Sequence, residues 1–408
     1  MHQAMNDVVV TGLGVISAAG PRFTDLSEAL RTNRSAASDY DTPLPLTQAA
    51  AVLHPVEPVA GFADDRKAWL AMAALDEALA DSGDLGDGVI SVFLGTGLSS
   101  VTPQELEEDA YTHINEAGDD FDRGSMLKDL AADRAAPGRH DPARVTTAVA
   151  QRVGASGPCG TSFSACAAAA QAIAEGFRTI RRGEADVAVV GGHDSMLHPF
   201  GLLSFVVLGA LSPGAGRPFD KHRDGFLIGE GAAILILESE SHARARGART
   251  RARLLGAGTS VDGHAATAPQ PEGLGAEAAM RAALKDAGLT ANDVDYVNAH
   301  ATATPVGDIA EAAAIHRVVP HACVSSFKGA VGHTIAAAGA IEAAGCIAAL
   351  EGGFMPGTAG LRELDPSIRI NVLRETVHRA PRVVVSNSFG FGGQNAALVF
   401  GCAGVSRG

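Results

Sequence analysis

The sequence predicts an α/β protein built from two similar halves, and three observations support this. The chain has 408 residues, enough for two or three domains. Its residues are 46% hydrophobic and 19% charged, as is typical of a folded protein. Short β-branched runs alternate with Ala-rich stretches of helical length in both parts of the chain, the order expected of β-α-β units. We expect the halves to span residues 1–250 and 251–408.

The first half begins with a β-branched run that ends in glycines, which is typical of a buried strand and its turn. Strands are predicted at 7–14, 89–95, 185–192 and 226–238, and helices at 23–32, 65–82 and 167–180. Residues 103–144 are polar, with acidic clusters and scattered glycines, and we interpret them as a peripheral insertion.

The second half repeats this pattern of strands followed by Ala-rich helices. Strands are predicted at 253–258, 295–299 and 323–326, helices at 275–287, from 308 onward and at 336–350, and a terminal hairpin at 383–388 and 395–400. A weak duplication of the two halves follows from this order.

Charge and cysteine content exclude several classes of protein. The chain has 32 Lys+Arg against 46 Asp+Glu, a formal charge of −14, which disfavours nucleic acids and anionic membranes as partners. Five cysteines without a C-x-x-C pair indicate neither a disulfide framework nor a zinc cluster. The apolar runs are interrupted before about 18 residues, and no basic leader begins the chain. We therefore expect a cytoplasmic protein without a bound metal.

Cys166 is the first candidate for chemistry. It lies between a short extended stretch and four alanines that begin a helix. The N–H groups and the positive end of a helix lower a thiol pKa, so this position suits a nucleophile. The alternative is a small buried cysteine that fills an Ala-lined contact.

Two histidines follow at predicted strand ends. His300 precedes Thr302, Thr304 and Asp308, and Asp308 with Glu311 has the spacing of a helix cap. His333 lies five residues after Lys328 on a glycine-flanked loop, where the pair could polarise a carbonyl or carboxylate group. Each histidine could instead be structural, and Lys328 could be an ordinary surface residue.

The last signal is the glycine-rich turn at residues 390–393. Gly390, Gly392 and Gly393 flank Phe391, and glycines allow backbone N–H groups to point at a ligand, as an oxyanion hole requires. A tight hairpin turn explains the same glycines.

Three other patterns match known motifs only in part, and none of these motifs is predicted here. Gly12 and Gly14 imitate a dinucleotide fingerprint but lack its third glycine and its acidic partner. Ser325 to Lys328 matches S-x-x-K without the companion motifs of penicillin-recognising enzymes. The segment at 160–164 is not the G-x-S-x-G of a hydrolase.

The chain resembles the β-ketoacyl-acyl-carrier-protein synthases in the order of its candidate residues. One cysteine at a helix start is followed by His300, then by Lys328 and His333, and then by the terminal glycine turn. The resemblance covers nearly the whole chain, including residues 217–226 and 387–395. It is strongest to the elongating ketosynthases of fatty acid synthesis and dissociated polyketide systems. It implies the thiolase fold, with two α/β halves in five α-β-α-β-α layers, usually as a dimer.

The resemblance also implies a role for each site residue. Cys166 would accept the acyl chain, and the N–H groups of Cys166 and Phe391 would form the oxyanion hole. His300 and His333 would bind the malonyl thioester carbonyl and assist decarboxylation. The other implied residues are Lys328 and Glu342 as a charged pair behind the site, Phe205, Phe226, Phe391, Gly390 and Gly392 around the pockets, and Thr302 and Thr304 for substrate binding. No cofactor is implied.

The chain departs from the family pattern at several positions. The usual H-G-T is His300-Ala301-Thr302 here, and the usual G-G-T-N ends in Gln394-Asn395, so added bulk is expected beside the malonyl and oxyanion sites. A basic residue that fatty-acid members often use near Gly209 is absent, whereas Arg66 and Lys67 match part of another carrier-protein docking patch. These changes favour specialised metabolism.

Three functions remain open. The first is a ketosynthase that condenses a carrier-bound malonyl-type extender with an acyl chain on Cys166. The second is a cyclase that keeps the acyl-Cys166 intermediate but performs intramolecular aldol or lactone chemistry without decarboxylation. The third is a non-catalytic subunit that shapes the pocket of a partner, which the intact cysteine and histidines disfavour. The expected partners are an acyl carrier protein and a second subunit, identical or different.

Overall fold

The computed structural model describes residues 5–62, 65–97, 111–115, 117–132 and 141–405. The strands of the first half are β1 Val8–Ser17, β2 Ser38–Asp39, β3 Gln48–Ala49, β4 Ile90–Thr96, β5 Cys159–Ser162, β6 Val187–Ser195 and β7 Glu230–Ser239. Its helices are α1 Phe23–Arg31, α2 Arg66–Ser82, α3 Arg123–Ala131, α4 Arg144–Arg152, α5 Ala168–Arg181, α6 Pro199–Val207 and α7 Glu240–Ala245.

The second half contains strands β8 Ala252–Val261, β9 Tyr296–Asn298, β10 Cys323–Ser325, β11 Asn371–Val372, β12 Val383–Gly390 and β13 Gln394–Cys402. Its helices are α8 Leu274–Ala287, α9 Pro305–Val318, α10 Lys328–Val331 and α11 Ala338–Gly352. Short 3-10 helices at Ala165–Ala167 and Ile335–Ala337 precede α5 and α11.

The main sheet has the strand order β11-β10-β9-β12-β13-β8-β1-β7-β6-β4-β5. In each half, the strands follow one another outward from the first main-sheet strand, which is β1 or β8. These two strands pair antiparallel at the centre of the sheet. The order β8-β13-β12-β9-β10 mirrors the order β1-β7-β6-β4-β5. This symmetry confirms the predicted resemblance of the halves. The boundary between residues 250 and 251 stays a prediction.

Helices cover the sheet on both sides and also separate its halves. α5 packs on β4 and β6 and contacts α11, which packs on β12 and β7, so these two helices form the central layer. α2 covers β1 and β7 from outside, and α8 covers β8 and β13. The result is the expected α-β-α-β-α arrangement.

Small residues allow the central layer to pack this closely. A Cβ at Gly95 would lie 2.3 Å from the backbone nitrogen of Ala169, so only glycine lets β4 approach α5. Residues Ala338 to Leu350 of α11 are all buried. The stretch Ile335–Gly352 is long and apolar enough to cross a membrane, but 89% of it is buried inside the fold, as expected for a core helix.

The two halves share an unusual backbone feature at their centre. Ala165 and Ile335 each have a φ of 47° and each begins the 3-10 helix that leads into a central helix. Such a φ is strained for a residue with a side chain. By this correspondence, Ala336 occupies the position in the second half that Cys166 occupies in the first, so one of the two related turns carries a cysteine at this position and the other an alanine.

Several predicted bounds were wrong by a few residues. The strand predicted at 226–238 begins at Glu230, because Phe226, Ile228 and Gly229 make isolated bridges instead. The predicted insertion at 103–144 lies partly outside the described residues; its described part contains α3 and the start of α4.

Candidate active site

Cys166 lies where the sequence places it, between a strand end and a helix start. β5 ends at Ser162, and the 3-10 helix Ala165–Ala167 carries the thiol into the centre of the molecule, where it is buried. Its Sγ atom is 3.0 Å from Nε2 of His333. The residue is therefore in contact with a second candidate and is more than a filler of an apolar gap.

The pKa predicted for the thiol was wrong in direction. Burial raises the pKa of Cys166 to about 12, although the charge of Lys328 and the N–H groups of Phe391 and Cys166 act to lower it. Loss of water penalises the thiolate more than the helix end and these donors stabilise it. The resting nucleophile is a neutral thiol.

His300 and His333 converge on this thiol. One atom from each of Cys166, His300 and His333 lies within 4.8 Å of the other two, and the two imidazole rings are 5.3 Å apart and nearly perpendicular. Burial, with the charge of Lys328, lowers the pKa of both histidines well below the ordinary value. Both rings are therefore neutral at physiological pH, and each can donate one N–H group.

Two buried carboxylates hold the loop that carries His300. Glu311 accepts hydrogen bonds from the backbone N–H groups of His300 and Ala301, at 2.8 and 2.7 Å, and from the Asn387 amide at 3.0 Å. Asp308 accepts from the N–H groups of Phe219 and Ala303. Burial raises the pKa of Asp308 to about 7 and also raises that of Glu311.

The predicted capping role of Asp308 was therefore wrong. α9 begins at Pro305, with Thr304 at its N-cap, so Asp308 and Glu311 lie inside the helix. Their side chains reach back to the loop before the helix and do not cap its first turn. The acidic spacing was the only sequence signal for these two positioning residues.

Lys328 and Glu342 form a buried ion pair behind the histidines. Nζ of Lys328 contacts Oε1 of Glu342, and both side chains are almost fully buried. Burial raises the pKa of Glu342 to about 7, against the lowering effect of Lys328. Lys328 acts on the site through its charge and does not lie on an exposed surface.

The glycine turn packs directly against the nucleophile. A Cβ at Gly390 would lie 3.0 Å from the Ser164 carbonyl oxygen and 3.2 Å from the Cys166 nitrogen. The backbone N–H of Phe391 faces the Cys166 sulfur. Gly392, with a φ of 80°, donates its N–H to the Ala266 carbonyl and so ties the turn to a neighbouring loop.

A cavity of about 340 Å³ leads to these residues. Thr302 and Thr304 line it with their hydroxyl oxygens 3.2 Å apart, next to His300. Phe226 lines the same cavity, and its ring packs edge-on against His333 at 5.1 Å and against Phe205 at 5.3 Å. The site therefore has one polar approach and one apolar, aromatic wall.

One of the two bulkier substitutions, Ala301 and Gln394, lies at the cavity. Ala301 lines it, whereas Gln394 lies in a separate cleft, where its side-chain oxygen accepts a hydrogen bond from Gln171 at 3.4 Å. The expected bulk beside the catalytic atoms is thus present at Ala301 and absent at Gln394, because the side chain of Gln394 points away from the thiol.

The predicted docking residues do not form a basic surface. Lys67 is only 4% exposed, and burial lowers its pKa. Arg66 donates two hydrogen bonds to the buried Glu230, at 2.6 and 2.7 Å. The prediction was wrong for Lys67, since α2 turns this side chain inward, and Arg66 is held by an internal partner.

The thiol and two imidazoles also have the composition of a soft-metal site. A cysteine must be deprotonated to bind a metal, and the raised pKa of Cys166 opposes this. The absence of a metal stays a prediction.

Family models match both halves of the chain. The model described as "Beta-ketoacyl synthase, N-terminal domain" matches residues 5–243, and "Beta-ketoacyl synthase, C-terminal domain" matches residues 251–362. The chain is 36% identical to the polyketide beta-ketoacyl synthase 1 of Streptomyces cyaneus, over 98% of this chain and 99% of that protein.

Solved structures agree with these matches. "The ishigamide ketosynthase/chain length factor" superposes with a TM-score of 0.83 at 33% identity, over 98% of this chain and 100% of the other. The complex "AntDE:AntF" joins a type II polyketide acyl-carrier protein to its ketosynthase. It gives a TM-score of 0.86 at 27% identity, again over 98% of this chain and 100% of the other. The chain has the thiolase-type fold and belongs to the β-ketoacyl synthase family of condensing acyltransferases.

Proposed function

We propose that this protein forms carbon–carbon bonds by decarboxylative Claisen condensation on carrier-protein thioesters. The observation that carries the proposal is the buried set of one neutral thiol and two neutral imidazoles within 4.8 Å, beside backbone N–H groups that face the sulfur. Acyl transfer requires the thiol and the N–H groups, and decarboxylation requires the imidazoles.

In the first half-reaction, Cys166 takes an acyl group from a carrier thioester. Sγ attacks the carbonyl carbon, and the N–H groups of Cys166 and Phe391 stabilise the negative oxygen. The carbon–sulfur bond to the carrier breaks, and the thiol proton passes through Nε2 of His333 to the leaving thiolate. The product is an acyl-Cys166 thioester whose chain lies along the aromatic wall of Phe205 and Phe226.

In the second half-reaction, His300 and His333 donate hydrogen bonds to the thioester oxygen of a malonyl-type extender. Its carboxylate leaves as carbon dioxide, and the electron pair forms an enolate whose oxygen these donors stabilise. The enolate carbon attacks the acyl carbonyl, and the bond to Cys166 breaks. The Cys166 thiolate takes up a proton from solvent, and the β-ketoacyl chain stays on the carrier.

The relatives indicate the metabolic class. The Streptomyces cyaneus relative is named a polyketide beta-ketoacyl synthase, and the AntDE:AntF structure joins a ketosynthase to its acyl-carrier protein. We place this protein in polyketide-type metabolism, in the cytoplasm, with an acyl carrier protein as partner. It assembles as a dimer with itself or with a related subunit of the kind named chain length factor.

In the test, the protein is incubated with an acyl-loaded carrier protein and with a second carrier whose malonyl group is labelled at its free carboxyl group. Condensation releases labelled carbon dioxide in step with a product two carbons longer. Turnover of a tethered acyl chain without carbon dioxide would favour the cyclase instead. Activity only after addition of a second subunit that has its own cysteine would support the non-catalytic role and contradict the proposal.

A further inference from the structure

Large apolar side chains surround the mouth of the active-site cavity. Val207 and Leu208 are 78% and 48% exposed at the end of α6, and Val306 and Ile309 are 54% and 40% exposed on the first turns of α9. We call these four residues the apolar collar. Exposed apolar groups gathered around one opening are typical of an interaction surface.

The collar is continuous with the route to Cys166. Leu208 and Val306 line the cavity that also contains Cys166, His300 and His333. Val207 precedes Leu208, and Ile309 lies three residues after Val306, on the same face of α9. A partner that inserts a substrate through this mouth therefore has to rest on these side chains.

The mouth offers few positive charges to an acidic partner. Its described lining residues include Asp224 and Asp262 but no lysine or arginine. The arginines that precede Asp224 in the sequence are already paired. Arg217 is paired with Asp224 at 2.9 Å, and the buried Arg223 is paired with Asp365 at 2.6 Å. The chain as a whole carries a formal charge of −14, which repels an acidic protein at long range.

We propose that the carrier protein docks on the apolar collar through an apolar face of its own, and that ion pairs contribute little. This inference rests on the proposed function, because that function brings a carrier-borne thioester to Cys166 through this opening. The occupant is the carrier protein, and the recognition is by burial of apolar surface, which depends weakly on salt.

The probe is a carrier protein whose pantetheine arm ends in a bromoacetyl group, which alkylates Cys166 when the carrier docks. Two carriers are compared: one with an acidic recognition helix, and the same carrier with the exposed acids of that helix changed to leucine or glutamine. We expect faster crosslinking of the second carrier, and a rate that changes less than about twofold between low and high salt.

Val207→Asp and Ile309→Asp test the collar without altering residues that line the cavity. Each should slow crosslinking by about tenfold, because a charge is buried against an apolar face. The matched control is Val377→Asp, because Val377 is 37% exposed, close to the 40% of Ile309. Its backbone bridges to Met355 beyond the far end of α11, roughly 20 Å from the thiol. Crosslinking of this control should equal that of the wild type.

Free bromoacetyl-pantetheine separates docking from chemistry, since it reaches the thiol without a carrier. Its reaction with Cys166 should be unchanged in both collar variants. Collar variants that crosslink at the wild-type rate, or a wild-type rate that falls steeply with salt, would overturn the inference. A collar variant that loses its dimer in light scattering would also overturn it, because the collar would then bind a second copy.

The proposed function fails in a different way. It is contradicted if wild-type Cys166 accepts no acyl group from any carrier while free bromoacetyl-pantetheine still alkylates it. The docking inference alone is contradicted if carriers load Cys166 normally in the collar variants.

Discussion

Nε2 of His333 lies 3.0 Å from Sγ of Cys166, although the two residues are 167 positions apart and come from different halves of the molecule. The contact exists because the two related 3-10 turns meet at the centre of the fold. The thiol comes from the turn of the first half, and the imidazole lies two residues before the turn of the second half. Residues from both halves therefore meet at the candidate site.

The reactivity of Cys166 should rise with pH without reaching a plateau near neutrality. Burial raises its pKa to about 12, so the thiolate fraction grows about tenfold per pH unit between pH 7 and 10. The lowered pKa of His333 means that no imidazolium stabilises the thiolate in this range. The measurement is the rate of iodoacetamide alkylation, with Cys166→Ala subtracted as background because Cys159 is exposed. A plateau at pH 7 would indicate a resting thiolate–imidazolium pair and contradict this account.

Substitutions of the two histidines should affect the two half-reactions differently. His300→Ala should lower carbon dioxide release about 10²–10³-fold, because one donor to the enolate oxygen is lost, with little effect on acyl loading. His333→Ala should impair both steps, since its Nε2 also contacts the sulfur. Loading is followed by protein mass and decarboxylation by labelled carbon dioxide. Equal effects of both substitutions on loading would refute this division.

Removal of only one partner of the Lys328–Glu342 pair should strongly destabilise the protein. Lys328→Met leaves a buried carboxylate without its cation and should destabilise the protein by about 3–5 kcal/mol. The double variant Lys328→Met with Glu342→Gln should recover much of this loss. Urea unfolding of the single and double variants measures the coupling. If the double variant is no more stable than Lys328→Met, the pair does not have the role assigned to it.

Gly390→Ala should slow acyl loading by about tenfold. The new Cβ would lie 3.0 Å from the Ser164 carbonyl, so the turn must move away from Cys166 and carry the Phe391 N–H with it. Gly404→Ala is the control, because its Cβ meets nothing within 4 Å. Acyl loading is measured by protein mass in reactions stopped at set times. If Gly390→Ala loads at the wild-type rate, the oxyanion donors tolerate this shift and the prediction is wrong.

The sequence allowed most of the elements to be predicted, because strands and Ala-rich helices alternate clearly. It also pointed to Cys166, His300 and His333 at the ends of these elements, and the structure brings these three residues together. The tertiary consequences were harder to foresee. The raised pKa of the thiol depends on burial from both halves, which local helix geometry does not reveal. The inward turn of Lys67 likewise depends on how α2 packs, and a basic residue in a sequence pattern does not disclose its exposure.

Asp308 and Glu311 illustrate the same limit at the site itself. Their spacing indicated a helix cap, yet the helix starts three residues before Asp308, and both side chains reach back to the His300 loop. Pro305 at the first helical position was the local signal for the earlier start. The hydrogen bonds to Phe219 and Asn387 join distant segments and could not be predicted from spacing.

The most direct test of the central claim is the intact mass of the protein after incubation with acyl carrier-protein thioesters. We predict an added acyl mass on Cys166, absent from Cys166→Ala, which disappears when malonyl carrier protein is added and returns on the carrier as a chain two carbons longer. No acyl mass on the wild type, or the same mass on Cys166→Ala, would contradict the assignment of Cys166 as the acyl-carrying nucleophile.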